Sequence, residues 1–408
     1  MIVRMLRPEE KWQAELVMAV AYEYNIDAER EKAEAIREKT PQEQREAAMN
    51  RTFGAFTVDG KMFAHVNCHE YDVRFDGGLY KLGGIGGVAT LPPYRRGGAV
   101  RKCMEMALRD MYENGFAFSF LYPFSHEFYR KFGYSEGATS YEWRLPLASI
   151  PKRPLTGTVE QLFPGDDFSP LLEVYNKCFE GTNLSALREV YDERLEKPEI
   201  LNEQRYTYLW RNDAGEPRGV MIAHKKEEKG ETLLDCRCQF SGRGGFLFCD
   251  IEAFWGLLSF AIAAFSSDYT KIAFTVPGTI SLQSLIGENN HADCAADRNG
   301  MLRVVNVPKV LAAAKCKGRG SLVLEIHDEI LPENSGAWAL TFGKGENRVE
   351  KTADEPDAVL SIHAFSALIS GARPAADMCW MADVEVKNPE ADFESVFYTK
   401  PCYMMDLF

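Results

Sequence analysis

Apolar residues at Val100, Cys103, Met104, Ala107, Leu108 and Met111 return every three or four positions. That is the period of one helix face, so a helix is expected there with its other face in water. Asn114-Gly115 closes it, because both residues tolerate the left-handed backbone of a helix end. "KWQAELVMAVAYEY" (Lys11–Tyr24) reads as another amphipathic helix, and Glu29–Arg45 as a charged helical stretch. The pattern then changes. "TFGAFTVDGKMFAHVNCHEYDVRFDGGLYKLGGIGGVATL" holds three strand runs, punctuated by Asp59-Gly60 and Asp76-Gly77-Gly78 as hairpin turns would be. "FAFSFLY" (Phe116–Tyr122) predicts a buried strand, and "SHEFYRKFGY" a short helix ending at Gly133.

"PKRPLTG" from Pro151 has the composition of a linker. Helices are expected beyond it over Ser169–Phe179 and Ser185–Leu195, and strands near Tyr206–Trp210, Gly219–His224 and Thr232–Phe240. An apolar helix from Glu252 and the strand "KIAFTV" (Lys271–Val276) follow. This order of strands, helix and strand repeats the architecture of the first segment without repeating its sequence. Near residue 300 the pattern shifts to "MLRVVNVPKVLAAA", strands over Ser321–Asp328 and Gly336–Phe342, and "DAVLSIHAFSALISG", a strand leading into a helix. A mixed α+β chain with domains at 1–150, 151–298 and 299–408 is expected.

The formal net charge of −13 disfavours a nucleic-acid partner, since neutralising phosphates needs an excess of Lys and Arg. Cationic small molecules or basic peptides suit it better. The longest apolar run, Ala253–Phe265, falls short of the roughly 20 residues of a membrane helix, so no membrane association is expected. The start, "MIVRMLRPEEKWQAEL", lacks the apolar core of a secretory signal, and a cytoplasmic location is expected. The ten cysteines include no CxxC pair. Cys236 and Cys238 would share a strand face, but no second pair accompanies them, so no metal site is expected and the thiols read as reduced and mostly buried.

"GGIGGVATLPPYRRGGAVRKC" (Gly83–Cys103) invites a phosphate reading. Gly84–Ala89 fits G-x-G-x-x-A, but a dinucleotide fingerprint opens a helix inside the motif, and here Pro92-Pro93 follow. A different site fits better. The strand ends at Val88-Ala89-Thr90, the chain turns, and a helix begins near Gly98, so that the amides of Gly98, Ala99 and Val100 point outward unpaired. Arg95, Arg96 and Arg101 add positive charge.

This order resembles the coenzyme A signature of the GNAT acetyltransferases, with Arg95 and Gly98 matching it and Val100 standing where Gly or Ala is usual. "VATLPPYRRGGAVRKCM" followed by "LYPFSHEFYRKFGY" is similar to the Eis (enhanced intracellular survival) branch. The resemblance implies two tandem GNAT-fold domains, the second degenerate, and a C-terminal domain like sterol carrier proteins. It implies acetyl-CoA as donor, with the pantetheine along Val88 and Thr90. It assigns thiolate protonation to Tyr129 and a part in amine activation to the C-terminal carboxylate of Phe408. Asp406, a carboxylate nearby in sequence, is expected to help hold a cationic amine. It also implies acceptors such as aminoglycosides or lysines, and a hexamer. "SGRGG" (Ser241–Gly245) lacks the arginine-to-glycine spacing at a helix start, so no second coenzyme site is expected. His126 shares a helix face with Tyr129 and is the textual candidate for a base, although the family uses none there. An inert acyl-CoA or lipid carrier is the alternative, suggested by the last domain.

Overall fold

The computed structural model describes residues 1–41, 43–44, 49–189, 205–228, 230–237, 245–287, 292–343 and 345–406. They form two compact units. One joins Met1–Gly137 to Gly300–Lys400, and the other joins Ala138–Asn299 to tail residues 401–406.

The first unit opens with β1 (Ile2–Met5), α1 (Lys11–Tyr22), α2 (Ala28–Ile36), β2 (Asn50–Phe56), β3 (Met62–Phe75) and β4 (Gly78–Thr90). It continues through α3 (Ala99–Glu113), β5 (Phe118–Leu121), α4 (His126–Arg130) and β6 (Ser135–Glu136). Strands β1 to β4 are antiparallel neighbours, whereas β5 lies parallel to β4. A parallel pair needs a crossover, and α3 supplies it. Its buried residues are Ala99, Cys103, Met104, Ala107, Leu108 and Met111, the expected stripe, with Val100 half-buried at its margin. Ala14 and Val17 of α1 form a separate cluster with Phe56, Met62 and Ala89. Helix α2 is shorter than Glu29–Arg45. Asp27 caps its start by accepting from the amides of Glu29 and Arg30, and Arg37 leaves helical geometry at ψ 141°.

The second unit contains β7 (Thr139–Pro146), β8 (Thr158–Leu162), α5 (Ser169–Cys178), β9 (Arg205–Arg211), β10 (Pro217–Glu228), β11 (Glu231–Asp235) and β12 (Gly245–Phe248). Next come α6 (Ile251–Phe265), β13 (Lys271–Pro277), α7 (Leu282–Ile286) and β14 (Asp293–Arg298). Its sheet runs β14-β7-β13-β11-β10-β9-β8, with β12 also on β10. Strand β13 is parallel to β11, so β11, α6 and β13 repeat the crossover of β4, α3 and β5. The helix expected over Ser185–Leu195 is corrected over its described part, residues 185–189, which is not helical. Just before it the chain is engaged by the tail. Asn183 bridges Cys402, its amide donates to the Pro401 carbonyl (2.7 Å), and its carbonyl accepts from Tyr403 (3.0 Å). Residues 190–195, and 238–240 of the expected Thr232–Phe240 strand, lie outside the described residues.

The chain re-enters the first unit with β15 (Met301–Val304), α8 (Val307–Ala313), β16 (Gly320–His327), β17 (Gly336–Gly343), β18 (Glu346–Lys351), β19 (Ala358–Ser361), α9 (Ile362–Ile369) and β20 (Val384–Val386). Strands β16 to β20 make a five-stranded sheet, but β15 does not join it. It pairs instead with β5 and β6 of the N-terminal sheet, Met301 opposite both Leu121 and Glu136. This corrects the placement of two strands. A boundary at 150 keeps β7 in the first domain, yet β7 pairs with β13 and β14. A boundary at 299 keeps β15 with the last domain, yet it completes the first sheet. Apolar alternation marks a strand as buried without naming the sheet that receives it.

Candidate functional site

The glycine-rich run is a strand with one irregularity. In the β3–β4 ladder Asn67 faces Gly86 and His65 faces Ala89, so Val66 alone opposes Gly87 and Val88. This is a β-bulge, and Gly87 carries it with φ +54°. A Cβ there would come within 2.5 Å of Asn67 Nδ2. Strand β4 pairs with β5 only from Leu82 to Ile85. From Gly86 to Thr90 it keeps β3 on one edge and has lost β5 on the other. Val88 and Thr90 are half-buried there, while Ala89 between them is buried.

The chain then turns through Pro92–Tyr94, with Tyr94 stacked on Phe63 at 4.3 Å between ring centroids. Arg95 Nε reaches back to the Thr90 carbonyl at 3.4 Å. The backbone has positive φ at Arg96 (64°) and at Gly98 (77°), on either side of Gly97. Gly98 is the N-cap of α3 and offers no side chain to it. Among the described residues the first amides of α3 therefore lack a side-chain cap, and Arg95, Arg96 and Arg101 stand exposed around them. Outward amides, a helix dipole and three guanidinium groups are what a diphosphate needs. The residues present fit coenzyme A.

The equivalent helix of the second unit is built differently. Asp250 is the N-cap of α6, its carboxylate accepts from the Ala253 amide (2.8 Å), and Arg218 Nε binds it at 2.6 Å. A carboxylate thus occupies the place an anion would take. Of "SGRGG", residues 241–244 lie outside the described residues.

Tyr129 lies on α4, which Ser125 caps by accepting from the Phe128 amide. The tyrosine is 2% exposed and belongs to the same core cluster as Ile85, Leu121 and Phe132, with Val88 at its margin. Phe124 and Phe128 meet its ring edge-on at 5.2 and 5.1 Å. Among the described residues its hydroxyl makes no hydrogen bond. Burial, and then the neighbouring Tyr22 and Tyr134, push its pKa well above the ordinary tyrosine range. The phenol stays protonated at neutral pH. Tyr134 differs, because its hydroxyl is 2.6 Å from that of Ser119, which donates to the Gly83 carbonyl. His126 is exposed on α4.

Sequence reasoning missed Tyr22, at the end of α1, whose hydroxyl donates to the Val88 carbonyl at 3.4 Å. No local pattern announces that reach across the chain. It also missed His65, fully buried opposite Ala89. Burial draws its pKa down to about 4; Asn67 and the Ala14 backbone favour the charged form, yet among the described residues neither ring nitrogen meets hydrogen-bond geometry. Asp406 belongs to the second unit, unlike Tyr129. It is buried, accepts from the Tyr175 hydroxyl at 2.9 Å and is ion-paired with Arg188. A carboxylate matched by a guanidinium has little charge left for a second cation. Phe408 lies outside the described residues. Among the described residues no group of His, Cys, Asp or Glu is arranged to hold a metal ion, and no helix is long and apolar enough to cross a membrane.

Residues 3–137 match the acetyltransferase (GNAT) domain family, and residues 307–405 the sterol carrier protein domain family. The whole chain is similar in structure to a conserved protein of unknown function from Enterococcus faecalis V583, named a probable N-acyltransferase (21% identity, TM-score 0.82, covering 100% of this chain and 99% of that chain). It is also similar to a GCN5-related N-acetyltransferase from Anabaena variabilis ATCC 29413 (20% identity, TM-score 0.80, covering 100% of both chains). A third is Eis1 from Mycobacterium abscessus (17% identity, TM-score 0.76, covering 100% of both chains). No curated protein matches the chain. Residues 3–137 are thus an acetyltransferase domain of the GNAT class, a class that uses acetyl-CoA. The whole chain shares the fold of Eis1, and a sterol carrier protein domain follows the GNAT domain.

Proposed function

We propose that the chain transfers acetyl from acetyl-CoA to a primary amine of a cationic acceptor, in a direct ternary complex. The supporting observation is the edge of β4 that β5 leaves after Ile85, which leads into a glycine-capped helix start flanked by three arginines. On this reading Val88 and Thr90 hold the pantetheine, and Arg95, Arg96, Arg101 and the amides of Gly98, Ala99 and Val100 hold the pyrophosphate. Acetyl-CoA supplies the acyl group as a thioester. Tyr129 keeps its hydroxyl proton at neutral pH and gives it to the sulfur as the C–S bond breaks. The amine proton leaves by way of the Phe408 carboxylate, as the family resemblance implies. Asp406, already paired with Arg188, is better assigned to anchoring the tail than to holding the amine.

The test is to incubate the protein with acetyl-CoA and a panel of aminoglycosides, polyamines and lysine peptides, and to follow free thiol. Thiol release with at least one amine is expected. No release with any amine, together with lipid extracted from the protein, would return the carrier reading. The net charge of −13 favours polycationic acceptors, so release should weaken as salt rises. A homo-oligomer, a hexamer by the resemblance, is part of the proposal and is read by sedimentation.

Arg95→Ala should raise KM for acetyl-CoA by about tenfold and leave kcat nearly unchanged, since it removes one charge-assisted contact common to ground and transition states. An unchanged KM would remove Arg95 from the cradle. Extending the chain by one residue after Phe408 should suppress turnover while acetyl-CoA binding, read by calorimetry, persists. Full turnover would exclude the carboxylate from the reaction.

A further inference from the structure

Cys178 and Cys249 are 71 positions apart in sequence, yet their sulfurs lie 3.4 Å from each other. Cys178 is the last residue of α5, and Cys249 sits between β12 and Asp250, the N-cap of α6. Both are half-buried, on the margin of the core that α5 forms with β9, β10 and the tail. Neither belongs to the proposed acetyl-transfer site. The two thiols are not equivalent. Cys249 adjoins Asp250, the N-cap of α6, and Arg218 and Lys177 are cations close to it. The hydrogen bond with Cys178 and these cations lower its pKa against burial and the Asp250 carboxylate, while the same bond and burial raise that of Cys178. The cations make Cys249 the readier of the two sulfurs to attack, with Cys178 3.4 Å away.

We propose that Cys178 and Cys249 are a peroxide-sensitive dithiol that closes into an intramolecular disulfide, joining the end of α5 to the start of α6. The Cys249 thiolate attacks one oxygen of the peroxide. The O–O bond breaks, the sulfur is oxidised to sulfenic acid, and the other oxygen leaves as hydroxide, protonated to water. The Cys178 sulfur then loses its proton, attacks the sulfenic sulfur and expels the second oxygen as water. Two thiols and one hydrogen peroxide become one disulfide and two waters. Helix α5 also carries Tyr175, the partner of Asp406, so the bond would fasten the helix that holds the tail.

The experiment treats the full-length protein with a few equivalents of hydrogen peroxide, alkylates the remaining thiols and maps peptides by mass spectrometry. A cross-linked pair containing Cys178 and Cys249 is expected, with two fewer alkylated cysteines, reversal by dithiothreitol and a higher thermal midpoint for the oxidised form. In Cys178→Ser the sulfenic acid on Cys249 has no partner and should be trapped by dimedone. The proposal fails if Cys178 and Cys249 are both recovered alkylated while the exposed Cys294 and Cys379 have oxidised. It also fails if the cross-link joins two different molecules.

Discussion

Tyr129→Phe should lower kcat by about 10²- to 10⁴-fold, the range of a positioned general acid, while acetyl-CoA binding and folding stay close to those of the parent. The substitution keeps the ring that packs against Phe124 and Phe128. It removes a hydroxyl that makes no hydrogen bond among the described residues, so no buried partner is left unsatisfied. A loss of activity could not then be blamed on a collapsed core. Steady-state kinetics with the best acceptor, alongside calorimetric titration of acetyl-CoA, measure the two effects separately. Full turnover in the variant would sink the acid assignment. Because burial keeps the phenol protonated well beyond the ordinary tyrosine range, the parent should show no loss of kcat from Tyr129 ionisation between pH 7 and 9.

Asp328→Ala should destabilise the first unit by about 3–5 kcal/mol, the usual result of removing one partner from a buried ion pair. Asp328 and Arg303 are both fully buried in their side chains. The carboxylate accepts from Arg303 Nη2 (2.8 and 2.6 Å), from the Ile330 and Leu331 amides (3.0 and 3.1 Å) and from Asn334 Nδ2 (2.8 Å). Arg303 also donates to the Phe132 carbonyl, at the end of the turn that carries Tyr129. Beside it Gly133 has φ +81°, and a Cβ there would run into the guanidinium. The pair therefore joins exchanged strand β15, the Tyr129 turn and the loop after β16. The urea midpoint should fall sharply in Asp328→Ala and recover substantially in Arg303→Met with Asp328→Leu, which removes both charges together. A midpoint within error of the parent in the single variant would show that the pair contributes little.

Local periodicity made much of the site legible. The α3 stripe, the turn glycines and the alternation at Val88, Ala89 and Thr90 follow from which face of each element meets water, and a short window of sequence encodes that. The helix start at Gly98 was readable because glycine and prolines interrupt the pattern there. Several features were not readable. The departure of β4 from β5 after Ile85, the exchange of β7 and β15 between sheets, the Tyr22 contact with Val88, the buried Arg303–Asp328 pair and the approach of Cys178 to Cys249 all join residues distant in the chain. Residues 185–189 of the expected Ser185–Leu195 helix are not helical, and just before them tail residues 401–403 engage the backbone at Asn183. The sequence by itself determined the elements, their buried faces, the cationic helix start and the family resemblance. Only the tertiary structure decided which strand completes which sheet and which polar groups meet in the interior. Hydrogen-bonding edges carry no address, and partners are settled when whole layers pack.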